Sequence, residues 1–174
     1  QDVRIIVLNS NEKLEQQTKY LEDQLKNCTA KWKIVTCHHS VFSPARGRDF
    51  KFARENWKPL LDKYNVDLVL NGHDHTYARG HVPIRSTDDA SELGTVYVTS
   101  VSGPKQYGLD RKQILAYKSQ GYRSDKTAEQ TQFFQVISIE DNTLSYVAYT
   151  VMGDEYDRAT ITKDFATGKK SLKD

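Results

Sequence analysis

Three short apolar runs with helical periodicity between them restrict what this 174-residue chain can fold into. The runs are Val3 to Leu8, Lys33 to Cys37 and Val66 to Leu70. Runs of this length without alternation read as strands buried on both faces. Between the first two, Leu14, Thr18, Leu21 and Leu25 recur at helical spacing. Asn11 is placed to cap that helix, Glu15 and Lys19 to support it, and Asn27 to end it. Between the second and third, a polar loop from Ser43 to Asp49 leads into a stripe of Ala53, Trp57, Leu60, Leu61 and Tyr64. Pro59 inside the stripe predicts a kink or two short helices. Alternating strands and helices predict an α/β fold, a parallel sheet with right-handed crossovers. Ligands of such sheets sit beyond the carboxyl ends of the strands.

The second half changes character. Thr95 to Val101 is strand-like, and Ser102 to Thr131 is a long polar segment of the kind that is often functional or mobile. Phe133 to Ile139, Leu144 to Val151 and Glu155 to Thr162 are strand-like, with turns marked by Asp141-Asn142 and Gly153-Asp154. They predict an antiparallel meander. The organised unit is expected over 1–163, with 164–174 as a polar, frayed tail.

A net charge of +2, with lysine and arginine scattered, argues against nucleic acid as the main partner. No apolar stretch approaches the roughly 20 residues of a membrane span, so no membrane partner is expected. Cys28 and Cys37 lie at opposite ends of a predicted strand. At ~3.3 Å per residue they stand roughly 16 Å apart, too far for a disulfide.

Chemistry concentrates at two strand ends. Val35-Thr36-Cys37-His38-His39 closes the second run, and Gly72-His73-Asp74-His75 follows the third. Neutral imidazole is the commonest metal ligand, and alternate histidines leave an extended segment on one side. His38, His73 and His75 therefore read as metal ligands, with Asp74 turned elsewhere and Gly72 permitting a sharp turn. His39, next to a ligand, should point to the opposite side. Arg46 and Arg48 could clamp an anion bidentately, or be solvated loop residues. Lys105 and Tyr107, in the long polar segment, could shape access, and His81 reads as structural.

Val35-Thr36-Cys37-His38 resembles the Val-x-x-His motif of the calcineurin-like metallophosphoesterases, and Gly72-His73-Asp74-His75 resembles their Gly-His-x-His motif. His38 to Ser43, Pro59 to Leu70, Tyr77-Ala78-Arg79 and Tyr149 to Lys163 are similar to the purple acid phosphatase branch. The resemblance implies a binuclear centre of iron with zinc, manganese or iron. His38 and His73 would bind the divalent metal and His75 the other. Two metals about 3.5–4 Å apart hold phosphate and generate a hydroxide nucleophile near neutral pH. Tyr77 and Arg79 could line the substrate cleft or serve packing and surface charge; His39, Arg46 and Arg48 are the candidate catalytic side chains, with a supporting or structural role the alternative for His39. The family's Asp, Gly-Asp-x-x-Tyr and Gly-Asn-His motifs are not found here, and a further family histidine is replaced by Gly47-Arg48.

The implied fold is half of a four-layer α/β/β/α sandwich, resembling the carboxy-terminal part of the family's catalytic domain. Its exposed sheet face would call for the missing amino-terminal half or a homodimer partner. The implied activity is hydrolysis of phosphate monoesters by a longer parent protein, with the isolated chain inactive or nearly so. A phosphodiesterase of the same superfamily and a non-catalytic binding module are the alternatives. The resemblance implies a secreted or periplasmic location.

Overall fold

The computed structural model describes residues 2–84 and 92–174. Its first three strands are β1 (Val3–Leu8), β2 (Trp32–Cys37) and β3 (Leu68–Asn71), all mutually parallel. Helix α1 (Leu14–Lys26) links the first pair. A π-helical turn (Ala53–Trp57) running into α2 (Lys58–Lys63) links the second. Pro59 falls in the first turn of α2, where its missing N–H leaves no gap, so the proline marks the join between two short helical segments. β4 (Tyr77–Pro83) and β5 (Leu93–Thr99) complete the centre of the sheet. β5 is parallel to β3, and β4 is antiparallel to β5.

The segment expected to be one long loop contains α3 (Arg111–Ala116), a 3₁₀ turn (Tyr117–Gln120) and β6 (Arg123–Ala128). The six-stranded sheet runs β1-β2-β3-β5-β4-β6. β4 and β6 are short of the apolar alternation that marks a strand, because charged residues on them find partners inside the fold. Two glycines allow the tight packing there. A Cβ on Gly80 would meet the Arg123 carbonyl at 2.4 Å, and one on Gly94 the Val82 carbonyl at 2.3 Å.

The predicted meander forms a second sheet of β7 (Phe133–Glu140), β8 (Thr143–Thr150), β9 (Glu155–Lys163) and β10 (Lys170–Lys173). Asp141, with φ 46°, makes the β7–β8 turn. Residues 164–174 are not a frayed tail: β10 pairs with β9. Lys170 is buried, with Nζ donating to the Val66 carbonyl at 2.9 Å and lying 3.2 Å from Asp67 Oδ1. Lys163 Nζ meets the same carboxylate at 2.9 Å. The basic run is thus drawn in by a buried anion at the start of β3.

Residue parity builds the layers. Ile6, Leu8, Val35, Cys37 and Val69 face Leu21, Leu25, Trp57 and Leu61 of the helices. Ile34, Leu68, Val96 and Val98 face Phe133, Leu144, Tyr146 and Ile161 of the second sheet. The result is helices, parallel-rich sheet and antiparallel sheet, stacked as α/β/β. β1 is an edge strand, and its Ile5 and Val7 are 61% and 65% exposed on the face opposite the helices.

Three local expectations change. Asn11 does not cap α1: its own N–H donates to Asn9 Oδ1 at 2.9 Å, and Lys13 enters the helix at φ 53° with no side-chain cap. Among the described residues Glu15 and Lys19 form no ion pair; α1 reaches α2 through Glu22 and Lys63 at 3.2 Å. Gly72 is not the sharp turn. Positive φ falls instead on His73 (67°) and His75 (51°).

Candidate metal centre

β2 and β3 end side by side, with Cys37 opposite Asn71 in the ladder. The chains leaving them are tied together before any histidine side chain is considered. Asn71 Nδ2 donates to the Cys37 carbonyl at 3.1 Å, and its Oδ1 accepts from the Val41 N–H at 3.3 Å. The Gly72 N–H donates to the His38 carbonyl at 3.0 Å, and Ser40 Oγ to the Gly72 carbonyl at 3.0 Å. The Asp74 N–H then donates to the Gly72 carbonyl at 2.8 Å, closing a three-residue turn on His73. With φ at 67° this is the rare, strained form of that turn. A left-handed residue other than glycine costs about 1–2 kcal/mol, and here two of them, His73 and His75, flank Asp74. The strain sits on the motif itself.

The turns aim the rings. His38 Nε2 and His73 Nδ1 lie 3.0 Å apart. Burial, then the neighbouring His39 and Arg48, push the His73 pKa down to about 4, which keeps the ring neutral at pH 7. His75 Nδ1 lies 2.8 Å from the Lys105 carbonyl. A carbonyl only accepts, so the proton is on Nδ1 and Nε2 keeps its lone pair. Asp74 turns inward and accepts from Ser43 Oγ at 2.5 Å; burial raises its carboxyl pKa and Ser43 opposes this.

His39 does not point away from the others. β2 ends at Cys37, so strand alternation no longer governs residue 39. Its ring lies 4.2 Å from that of His73 and 5.1 Å from Phe50. Ser10 Oγ accepts from the His39 backbone N–H at 3.0 Å and lies 2.9 Å from Nδ1. The two contacts with Ser10 fix where the His39 ring sits. Beside this cluster a pocket of ≈ 250 Å³ is lined by His39, Ser43, Arg48, Phe50, His73 and Asp74, among others.

A profile of the calcineurin-like phosphoesterase family matches residues 2–77, which include His38, His73 and His75. Purple acid phosphatase 17 of Arabidopsis thaliana is 39% identical over 112 residues, 60% of this chain and 31% of its own length. Purple acid phosphatase 4 of the same plant is 30% identical over 140 residues, 77% of this chain and 35% of its own. In fold, the structure of purple acid phosphatase PPD1 from yellow lupin seeds superposes with a TM-score of 0.67 at 19% identity, covering 94% of this chain and 32% of that one. The chain belongs to the calcineurin-like phosphoesterases, in their purple acid phosphatase-like branch. It spans about a third of the length of the curated purple acid phosphatases it matches.

The phosphoesterase motifs meet their expected neighbours unevenly. Arg48 enters the centre: Nη1 lies 2.9 Å from His73 Nε2, and Nη2 donates to Tyr107 Oη at 3.0 Å. Lys105 and Tyr107 are brought in as well, because the Tyr107 N–H donates to the His75 carbonyl at 3.1 Å. Arg46 is exposed, its backbone N–H donating to the Gly108 carbonyl at 3.0 Å, and it lies outside the pocket lining. Tyr77 and Arg79 do not line the cleft. They lie on β4 between the sheets, where both bind the buried Asp157 carboxylate. A buried guanidinium needs an anion, and Asp157 on β9 supplies it. His81 is structural in the same region, with Nδ1 2.9 Å from Asp125 Oδ2.

Ser10, Ser43 and Asn71 were not singled out by sequence. Asn71 carried a usable signal: it is the polar residue that ends an apolar run directly before Gly72-His73. Ser10 and Ser43 carried none, since their roles depend on distant segments meeting.

The donor set bears on which metal fits. Two imidazole nitrogens 3.0 Å apart suit neighbouring positions around an ion with bonds of about 2.1 Å. Imidazole suits divalent zinc or iron; manganese and the harder trivalent iron ask for oxygen ligands. Among the described residues no group of three or more histidine, cysteine or carboxylate side chains converges as a metal cage. The pair of His38 and His73 fits one divalent ion, and His75 stands beside it.

Proposed function

We propose that this chain carries the divalent-metal side of a phosphoester hydrolase centre that acts on phosphate monoesters as an acid phosphatase does. The carrying observation is the convergence of His38 Nε2 and His73 Nδ1, 3.0 Å apart, beyond the carboxyl ends of adjacent parallel strands. His38 and His73 would hold the divalent ion. His75, with Nε2 free to ligate, would hold the second, which is iron in the full centre. When bound, the metal pair polarises the phosphoryl oxygens and acidifies water.

The remaining work falls to this chain's own groups. Strain at His73 and His75 fixes the two rings with Asp74 as an inward anchor. Arg48 lies at the pocket and can take two phosphoryl oxygens with its planar fork. His39 lines the same pocket and would donate an imidazole N–H to the leaving oxygen. Arg46, exposed on the same loop, adds positive potential at the entrance. Oxygen ligands for iron, including a bridging carboxylate, would come from other parts of a longer protein or from a partner copy, so the isolated chain is proposed to be inactive. A secreted or periplasmic location is proposed from the family likeness alone. Among the described residues no helix is long and apolar enough to cross a membrane.

Elemental analysis after loading with iron, zinc or manganese and desalting tests the reading. One metal per chain, lost in His38→Ala and His73→Ala, is expected. Two tightly held metals would assign the whole centre to this chain, and none would remove the metal reading. Turnover of the metal-loaded full-length protein on mono- and diester nitrophenyl phosphates then separates phosphatase from phosphodiesterase. Bound metal without turnover on either would favour a binding module.

A further inference from the structure

Arg48 occupies a ring nitrogen of a proposed metal ligand, and this has a chemical consequence. A guanidinium only donates hydrogen bonds. With Arg48 Nη1 2.9 Å from His73 Nε2, that nitrogen must be the acceptor, so the ring proton is on Nδ1. Nδ1 then donates to His38 Nε2 across 3.0 Å. His73 is therefore held in the tautomer that has no lone pair facing His38.

The ring positions suit an ion, but either mode of metal binding requires a proton or Arg48 to move. An ion between His38 and His73 needs the Nδ1 lone pair. The proton must then move to Nε2, where it would face a guanidinium N–H. An ion at Nε2 needs the position Arg48 fills. The arginine is not loosely placed, since Nη2 donates to Tyr107 Oη at 3.0 Å and the guanidinium lies 5.1 Å from the centre of the Tyr107 ring. Tyr107 is itself fixed by its backbone N–H on the His75 carbonyl.

We propose that Arg48, held by Tyr107, is a latch on His73 that a divalent metal must displace, and that the released guanidinium turns to the adjoining pocket as a phosphoryl-binding group. The proposal rests on the metal reading of His38 and His73 and adds an order of events: metal first, anion second. Arg48 thus acts as a positioning residue in the metal-free chain and a substrate-binding residue in the loaded one.

Isothermal titration of the chain with Zn²⁺ and with Mn²⁺ tests this. Arg48→Gln is expected to bind roughly tenfold tighter than the parent, the scale of one charge-assisted hydrogen bond that no longer has to break. Tyr107→Phe keeps every cation in place and only frees the latch, so a smaller gain of about two- to threefold is expected. Long-range proton–nitrogen spectra of the metal-free chain should place the His73 proton on Nδ1, and Arg48→Gln should relax that preference. Tighter binding in Arg48→Gln with Tyr107→Phe at parental affinity would reduce the effect to charge repulsion and overturn the latch. Equal or weaker binding in Arg48→Gln would overturn it while leaving the metal reading intact. No binding by parent or variants would overturn both.

Discussion

Arg79 and Asp157 form a two-point fork between the sheets: Nε donates to Oδ2 at 2.8 Å and Nη2 to Oδ1 at 3.0 Å, with both side chains almost fully buried. Tyr77 Oη donates to the same Oδ2 at 2.6 Å, and Asp125 lies 3.2 Å from Arg79 Nη1. The fork joins β4 of one sheet to β9 of the other. Asp157→Asn leaves a buried cation short of its main anion. It should destabilise the chain by about 3 kcal/mol, at the lower end for a broken buried pair because Asp125 remains and Asp174 Oδ1 lies 2.9 Å from Nη2. Thermal unfolding should show a midpoint roughly 6–12 °C lower. An unchanged midpoint would mean that the fork adds nothing across the interface.

Stability should depend on pH through Lys170. Burial lowers its pKa to about 8, against the attraction of Asp67. The unfolded chain keeps its lysine proton up to about 10.4, so above pH 8 it binds more protons than the folded chain, and stability rises with pH. Cys37, pushed up to about 12 by burial, acts in reverse from its unfolded value of about 8.5 upward, and so do the buried tyrosines above pH 10. Between pH 8 and 9 the Lys170 contribution is a rise of about 1 kcal/mol, read in urea titrations as the difference in slope between the parent and Lys170→Met. Identical slopes in the two would assign the pH dependence elsewhere.

Glycines should separate by packing rather than by proximity to the histidines. Gly80→Ala sets a Cβ 2.4 Å from a backbone oxygen of β6 and from the Tyr122 ring, and should cost about 3 kcal/mol or more. At Gly72 the nearest atom to an added Cβ is the His38 carbonyl at 3.8 Å, and φ is not positive. Gly72→Ala should unfold within about 1 kcal/mol of the parent by denaturant titration. A large loss there would show a constraint beyond contact and backbone angle.

Asn71 holds the two loops together without touching a metal. Asn71→Ala removes the bonds to the Cys37 carbonyl and the Val41 N–H, and should weaken Zn²⁺ binding by about tenfold, as loss of a supporting partner commonly does. Calorimetry of the variant beside the parent gives the answer, with circular dichroism to confirm that the fold is kept. Equal affinity would mean that His38 and His73 find each other without this clamp.

What could be read from sequence was set by periodicity and by local chemistry. The apolar runs at Val3, Lys33 and Val66 announced three parallel strands, and the turns at Asp141 and Gly153 announced the meander. β4 and β6 were silent because Arg79, His81 and Asp125 satisfy one another only after the fold brings them together. The tail was misread for the same reason: Lys163 and Lys170 look like solvent-seeking charge until Asp67, buried at the start of β3, is seen to need them. Within the candidate centre, the approach of His38 to His73 was legible from their places at the ends of neighbouring strands. The placement of His39 was not, because strand alternation stops at Cys37. Of the two readings of Tyr77 and Arg79, cleft and packing, the structure shows packing, because adjacency to a motif in sequence says nothing about which layer a strand faces.

β3 is only four residues long, and it joins two demanding ends. At its start Asp67 accepts from the Lys33 N–H at 2.7 Å and gathers Lys163 and Lys170; Asn71 is its last residue, and His73 and His75 stand just past it. A one-residue slip of this strand would turn every side chain to the other face. Asp67 would then leave two buried ammonium groups without their anion, a far heavier penalty than any misplaced valine. The strand therefore works as a short ruler whose zero mark is electrostatic. Proofreading of the histidine positions is done at the opposite end of the sheet from the chemistry, by charges that never meet substrate.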